Sequence, residues 1–493
     1  MSPIRAALLL ACLALPVEAA TFKVISTAHS GPGSLRQAIA DAQTAGGSGH
    51  RVEFAIPGPG PHVINLWPGG IFFSGGIEID GYTQPGSRPN TSPTGFNADL
   101  RIVLDGTPVF PNPDNGLTIY GDATIRGLAL RTFFSAIRVD FSRATVTGCS
   151  FENSEIAVEV RGGQGSRIGG PTPAERNWFR HSWWEVVRLD SALSPIVEGN
   201  LIGTDASGFA AGRTYRGVVA IGGQAIVVRD NVLSGSMVGP ALPGFGQGIL
   251  FSSVGIDDPS APPSIIEGNR IGVGADGVTP VPNAGDGIQL DGSENVEVRG
   301  NLIRFNEGNG IRVTGNLPPG RRGITILGNS IADNLGIGID LEGALGVDGN
   351  DDGDLDDGPN DLQNFPVLLG RSLTATGGSV RGSVRGLPGV PLQIELFASD
   401  ACSLAGHGEG QEWIAATTVT TDAGGLVEFE IPVTADHRGR VLTATATSER
   451  GTSEFSACLG PTGPLEVPTA STWGLALLAT LLMTVGMGRL RRV

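Results

Sequence analysis

One lysine, Lys23, stands in a chain of 493 residues, and tyrosine, methionine and cysteine are almost as scarce, at three, four and four copies. The 19 phenylalanines face 76 glycines, a ratio that excludes a helix bundle. Glycine supplies the positive φ of tight turns, so this much of it among scattered Val, Ile and Leu specifies many short strands. The chain reads as all-β. Basic charge is short as well. Setting aside Arg5, Arg489, Arg491, Arg492 and Glu18 in the two terminal segments leaves 29 basic against 48 acidic residues, a body of about −19 that nucleic acid would repel.

Long apolar runs are confined to the two ends. Residues 1–20 carry a basic Arg5, an apolar stretch from Ala6 to Leu15 and small residues at Ala19 and Ala20, the layout of a secretory signal. Residues 467–493 hold a second run, Trp473 to Gly488, followed by three arginines. At a rise of 1.5 Å per residue this run spans about 24 Å, enough for a membrane helix with snorkelling arginines and with the body outside. Loss of the signal leaves Cys149, Cys402 and Cys458 in a compartment that permits disulfides. Cys402 and Cys458 flank one segment and are expected to pair; Cys149 is expected to be buried.

Between residues 100 and 345 a phrase recurs, in which Gly, or once Asp, precedes an Asn that is followed by any residue and then Ile or Leu. It appears as "VEGNLI", "VRDNVL", "IEGNRI", "VRGNLI" and "ILGNSI", at Asn200, Asn231, Asn269, Asn301 and Asn329. "VTGCSF" at Cys149 and "ERNWF" at Asn177 are looser copies. A second phrase, as in "GVVAI", "GIQLD" and "GIRVT", alternates with it, so each repeat carries two strands. A unit of about 23 residues is too small to hide its own apolar side and must stack on its neighbours. A parallel β-helix fits, with the asparagines as a structural ladder at a turn, in the left-handed conformation.

Residues 21–99 would hold a cap and the first coils. In "GPGSLRQAIADAQ", Leu35, Ala38, Ile39 and Ala42 have helical spacing behind a capping Ser34, a helix that can cover an open coil. Residues 366–460 alternate with period two, as in "PLQIELFAS" and "LVEFEIPV", and read as a small β-sandwich.

With these residues placed, the sequence resembles known patterns. "GPGSLRQAI" looks like the "CSLREAI" motif that opens bacterial surface and secreted β-helix proteins, with Gly33 in place of its Cys. The repeats resemble the right-handed parallel β-helix class of pectin-lyase-like shape. "VPTASTWG" with its apolar run and arginines resembles an IPTL-type C-terminal sorting signal, Ala470 and Thr472 departing from its usual Leu and Glu. The resemblance implies an exported bacterial protein at the cell surface, in the outer envelope or secreted, handled by an envelope sorting protease and held by its terminal helix before processing.

The acidic stretch of residues 346–365 offers chemistry. Asp348, Asn350, Asp352, Asp354 and Asp356 have the spacing of oxygen ligands in a Ca²⁺ loop, with Pro359 where an EF-hand has its glutamate. A Ca²⁺ clip and a solvated linker are both open at this stage. Asp286, Asp291, Glu294 and Asp340 could act as acid and base on a glycoside from the outer coil face, although outward polar residues of a solvated coil would look the same. Trp178, Trp183 and Trp184 could form a platform for sugar rings or pack a loop. The leading expectation is a surface protein with a structural or adhesive role that binds a polysaccharide or envelope glycan. A polysaccharide lyase or hydrolase is the alternative.

Overall fold

The computed structural model describes residues 19–107, 114–238, 244–316, 318–341, 346–461 and 463–464. Its parallel strands stack into an 11-stranded sheet, from Thr21–Val24 to Ile324–Leu327, and an 18-stranded sheet. The larger sheet has two legs. Strands such as Leu201–Ile202, Val232–Leu233 and Leu302–Arg304 form the first leg, and Thr214–Ile221, Ile249–Ser252, Ile288–Asp291 and Ile311–Thr314 the second. In Ser150–Arg161 and Trp178–Asp190 both legs are one continuous strand that bends at a corner with shifted register.

Equivalent side chains sit above one another because the strands pair in register. Val218, Ile249, Ile288, Ile311 and Ile339 form one such column. All five are buried in a single core that runs from Val24 to Leu341 and takes in Phe397 and Phe455 from the sandwich. Each coil rises by about 4.8 Å, so the core lengthens with every repeat and no coil buries its apolar side alone.

The recurring asparagines line up inside the turn between the 11-stranded sheet and the first leg. The Nδ2 of Asn177, Asn200, Asn231, Asn269 and Asn301 each donates to the Oδ1 of the next asparagine, at 3.1, 3.0, 3.1, 2.9 and 2.9 Å, ending on Asn329. Each Oδ1 also accepts a backbone N–H from the coil before, and Cys149 N donates to Asn177 Oδ1 in the same way. The left-handed conformation falls one residue earlier than expected. Gly199, Gly268, Gly300 and Gly328 have φ between 59° and 68°, and Asp230 takes 56° where the glycine is missing. This frees the asparagine to turn its amide inward.

The helix Leu35–Ala45 covers the first coils, with Ser34 Oγ accepting from Gln37 N and Leu35, Ala38, Ile39 and Ala42 buried. The far end is covered by two antiparallel sheets, one of Val367–Thr374, Gly377–Arg385 and Leu426–Val433, the other built on Pro391–Ser399, Glu412–Thr420 and Val441–Ser448. They pack as a sandwich, and Cys402 and Cys458 are bonded while Cys149 is buried and free. Side chains from the sandwich and the acidic stretch satisfy the last coil. Ile324 N donates to Asn360 Oδ1, Ile326 N to Thr452 Oγ1, Gly328 N to Glu395 Oε2 and Leu341 N to Glu454 Oε1. No helix among the described residues is long and apolar enough to cross a membrane. Residues 1–18 of the signal-like segment 1–20 and the whole sorting-like segment 467–493 lie outside the described residues.

Asn269 carries bonds to the coils on both sides. Asn269→Ala takes the acceptor of the Asn231 backbone N–H and the side-chain donor of the Val228 carbonyl, while Asn231 Nδ2 keeps Val197 O and Arg229 O, at about 1–3 kcal/mol for an unsatisfied buried group. Urea unfolding is expected to show a loss of about 2–4 kcal/mol; a loss below about 0.5 kcal/mol would contradict the ladder's role.

Candidate glycan-binding corner

The corner between the two legs gathers several of the candidate catalytic and glycan-binding residues singled out from sequence. In Trp178–Asp190 the strand bends at Ser182, which is buried, and Trp183 and Trp184 turn outward with 47% and 45% of their surface exposed. The His181 ring lies 4.6 Å from the Trp183 ring, and Tyr215 of the next coil lies 6.4 Å from it. Burial, reinforced by Arg213 and Arg180, holds the His181 imidazole below its ordinary value against the opposing charge of Glu152. One coil further, the Arg216 guanidinium sits 3.6 Å over the Phe245 ring. The aromatic rings therefore mark successive coils along one edge.

Trp178 does not belong to this platform. It points outward from the first leg in a column with Leu201 and Val232, and the loop carrying Phe96 closes over it, with the two rings 5.8 Å apart. Its indole N–H donates to Thr204 O. An apolar outward column on a leg needs such a cover, so Trp178 is packing.

Polar side chains continue the edge along the second leg. Arg216 Nε donates to Gln247 Oε1, Gln247 Nε2 to Gln289 Oε1, and Gln289 Nε2 and Thr314 Oγ1 to Asp291, at 2.7–3.1 Å. Behind Arg216, the nearly buried Glu185 lies within 3.8 Å of it and 3.5 Å of Arg188. Burial pushes the Glu185 carboxyl up, with Arg188 and Arg216 opposing.

Asp286 and Asp340 come together here through Asn309, whereas Asp291 stands at the far end of the strand Ile288–Asp291 and Glu294 lies apart. Asp286 is buried at the corner, where Asn309 N donates to its Oδ1 at 2.7 Å, and Asn309 Nδ2 donates to Asp340 Oδ2 at 2.7 Å. Burial pushes the Asp286 carboxyl up, Arg312 opposes, and Asp340 and Asp291 add to the rise. A carboxyl raised above its ordinary range near another in more polar surroundings is a pairing that acid–base chemistry can use. Glu294 lies past the end of the leg, ion-paired to Arg321.

A second ladder, missed in the sequence, sets this corner. Asn283 Nδ2 donates to Asn306 Oδ1, Asn306 Nδ2 to Asn334 Oδ1, and Asn334 Nδ2 to Glu409 Oε1 of the sandwich, at 2.9, 2.8 and 3.1 Å. The signal was present as "NAGDG", "NEGNG" and "NLGIG", one Asn-x-Gly-x-Gly phrase whose fourth position carries Asp286, Asn309 and Ile337.

The acidic stretch is tied to its neighbours at Asp354, Asn360 and Asn364 while Asn350, Asp352, Leu355 and Asp357 stay exposed, and its ligand register differs from the alternation expected. Asn360 Nδ2 donates to Ile324 O and Thr452 O, tying the stretch between helix and sandwich. Asp351, Asp354 and Asp356 bring carboxylate oxygens within 4.8 Å of one another. Asp352 is 93% exposed and pairs with Arg385, Asn350 spends its amide on both backbone groups of Phe365, and Asp348 N is bound by Glu454. The Asp354 carboxyl is pushed up to about 7 by burial first and then by Asp351 and Asp356. Asp356 Oδ1 and Asp348 Oδ2 are buried with no hydrogen-bond partner among the described residues.

Residues 216–351 match the family described as the right handed beta helix region, and the stacked parallel sheets begin well before that segment, running from Thr21 to Asp340. No curated protein matches the sequence. Among solved structures it is similar to an alginate lyase from Paenibacillus sp. str. FPU-7, at 12% identity and a TM-score of 0.28 over 65% of this chain and 99% of that one. It is also similar to the full-length tailspike protein 2 of an Escherichia coli O157:H7 bacteriophage, at 12% identity and a TM-score of 0.20 over 85% of this chain and 60% of that one. Neither likeness bears on what this chain binds.

The two tryptophan sites predict opposite behaviour. Trp178→Ala is expected to cost about 3–5 kcal/mol in denaturant unfolding and Trp183→Ala less than about 0.5 kcal/mol. Equal losses would contradict the assignment of one to packing and the other to the surface. Asp286 adds a pH dependence. Its folded value lies above its unfolded one, so the stability it contributes is present at low pH and is lost as pH rises through the folded value. Thermal unfolding from pH 4 to 8 should therefore show Asp286→Asn gaining on the natural protein as pH rises; parallel curves would contradict it.

Proposed function

We propose that this is an exported protein of the bacterial surface that binds a polysaccharide along the corner of its β-helix. The observation that carries the reading is the run of His181, Trp183 and Tyr215 rings, backed by hydrogen-bonding side chains from Arg216 to Asp291. Aromatic faces beside fixed polar groups suit a sugar, whose rings offer apolar faces and hydroxyl rims. Export and surface display rest on the signal-like residues 1–20 and the sorting-like residues 467–493, which an envelope sorting protease would process. Isothermal titration of the mature protein against neutral, amino and acidic oligosaccharides tests the reading. Binding should weaken at least tenfold, about 1.4 kcal/mol, in Trp183→Ala with Tyr215→Ala. Binding indifferent to both changes would contradict it.

A second reading is hydrolysis, favoured by the buried Asp286 joined to Asp340 through Asn309, with Asp291 further along the second leg. Asp286 would give its proton to the glycosidic oxygen as that bond breaks, and Asp291 or Asp340 would take a proton from the attacking water. New reducing ends that vanish in Asp286→Asn would establish it, and their absence across the panel would leave binding alone.

Ca²⁺ is proposed at Asp351, Asp354 and Asp356, because a hard cation would offset three converging carboxylates and hold them ionised. Added Ca²⁺ should raise the melting temperature at pH 7.5 and chelator should reverse the rise. An unchanged melting temperature would contradict the clip.

A further inference from the structure

The corner does not run on freely at its C-terminal end. Its last turn, Ala332 to Ile337, faces the sandwich loop Ser399 to Gln411 across a cleft of about 440 Å³. That is within the range of about 300–1,000 Å³ typical of small-ligand pockets. We infer that this cleft takes the terminal unit of a carboxylate-free glycan chain lying along the corner, so that the protein recognises chain ends. The inference deepens the glycan reading of the corner and rests on it.

Register argues for it first. Glu409 accepts from Asn334 Nδ2, Asn334 N and Asp333 N, standing where the next asparagine of the corner ladder would be. The sandwich loop is thus set as one more step of the stack. Ser399 Oγ donates to Glu409 O and accepts from Gln411 N, and the Cys402–Cys458 disulfide ties the loop from its other side. The cleft also adjoins the candidate chemistry. Ile337 N donates to the Oδ1 of Asn309, whose own N–H and Nδ2 hold Asp286 and Asp340. Two coil rises place the last turn about 10 Å beyond Asp286. A chain following the corner past Asp286 meets the sandwich within one or two sugar units and ends there.

Charge and shape give the ligand class. The lining holds Asp333, Asp400 and Glu409 and no lysine or arginine among the described residues; Glu409 is engaged by Asp333 and Asn334, and Arg440 reaches Asp400 and Gln411 from outside the cleft. A uronate would be repelled, whereas hydroxyl or ammonium donors find acceptors. Leu335 and Leu404, 80% and 102% exposed, form the rims on opposite sides. Single exposed leucines are ordinary on a protein surface, but two at the mouth of one cleft, one from the coil turn and one from the sandwich loop, offer apolar contact to a sugar ring.

The test is titration of the mature protein with glucosamine, cello- and galacturonan hexamers, each free and with either end joined to a bulky carrier. Leu335→Trp and Leu404→Trp narrow the mouth, and both positions are exposed enough that an unchanged melting temperature should show them folded. The expected result is tenfold or greater weakening by each tryptophan and by a carrier on one end, with galacturonan at least tenfold weaker than the best hexamer. A hexamer that binds, weakens in Trp183→Ala and yet ignores both tryptophans and both carriers would overturn the end pocket while leaving the corner reading intact. Galacturonan binding as tightly as the others would overturn the proposed ligand class. If no hexamer binds, the corner reading falls and the pocket with it.

Discussion

The structure depends on how a buried turn satisfies its polar groups. A β-helix must turn its backbone inside every coil, and each unpaired N–H or C=O there would cost about as much as a lost buried hydrogen bond. An asparagine at that point solves the problem for two coils, because its Oδ1 accepts the N–H of the preceding coil's asparagine while its Nδ2 reaches the next Oδ1 and a carbonyl behind. The fit holds only when coils stack in strict register. Register, once set at the turn, fixes which side chains face out on every strand, since a slip of one residue would exchange core and surface.

From that constraint the rest follows. The second ladder at Asn283, Asn306 and Asn334 applies the same solution to the opposite corner of the first leg, and there it aligns Asp286, Asn309 and Ile337 in one column. The ends of the stack need other solutions. The helix Leu35–Ala45 covers apolar side chains at one end, and Arg36 donates to the carbonyls of Leu66, Gly69 and Gly70. At the other end Glu395, Glu409, Glu454 and Thr452 of the sandwich and Asn360 of the acidic stretch receive N–H groups of the last coil and the residues after it. The sandwich is therefore part of the β-helix's termination, and the acidic stretch is pinned between the two. Burial pushes Glu395 and Glu409 above their ordinary values, and Glu454 up to about 7.

How much of this the sequence disclosed depended on period. The Gly-Asn phrase stood out because its neighbours vary little, and it carried the coil count of the central repeats, the ladder and the direction of the core. What it left hidden were features set by departures from alternation. Trp178 and Trp183 lie five residues apart in one strand, yet the bend at Ser182 between them sends one under a loop and the other into solvent. Aligning "NWF" with "NLI" and "NVL" would have placed Trp178 in the covered column. Asp348, Asn350 and Asp352 matched a ligand spacing in one dimension, but hydrogen bonds to Asn364 and Phe365 fold the stretch so that Asp351, Asp354 and Asp356 converge instead. Glu409 and Glu454, from a separate alternating segment, carried no signal of their role at the joint.

The most direct measurement of the central claim is amide hydrogen exchange of the native protein, resolved at Asn200, Asn231, Asn269 and Asn301. The account predicts that these turn amides exchange as slowly as the strand amides of the core, since each is bound to the next asparagine across one coil. Exchange at the rate of ordinary exposed turns would show that the asparagines do not hold the stack, and the register of the corner would have no stated cause.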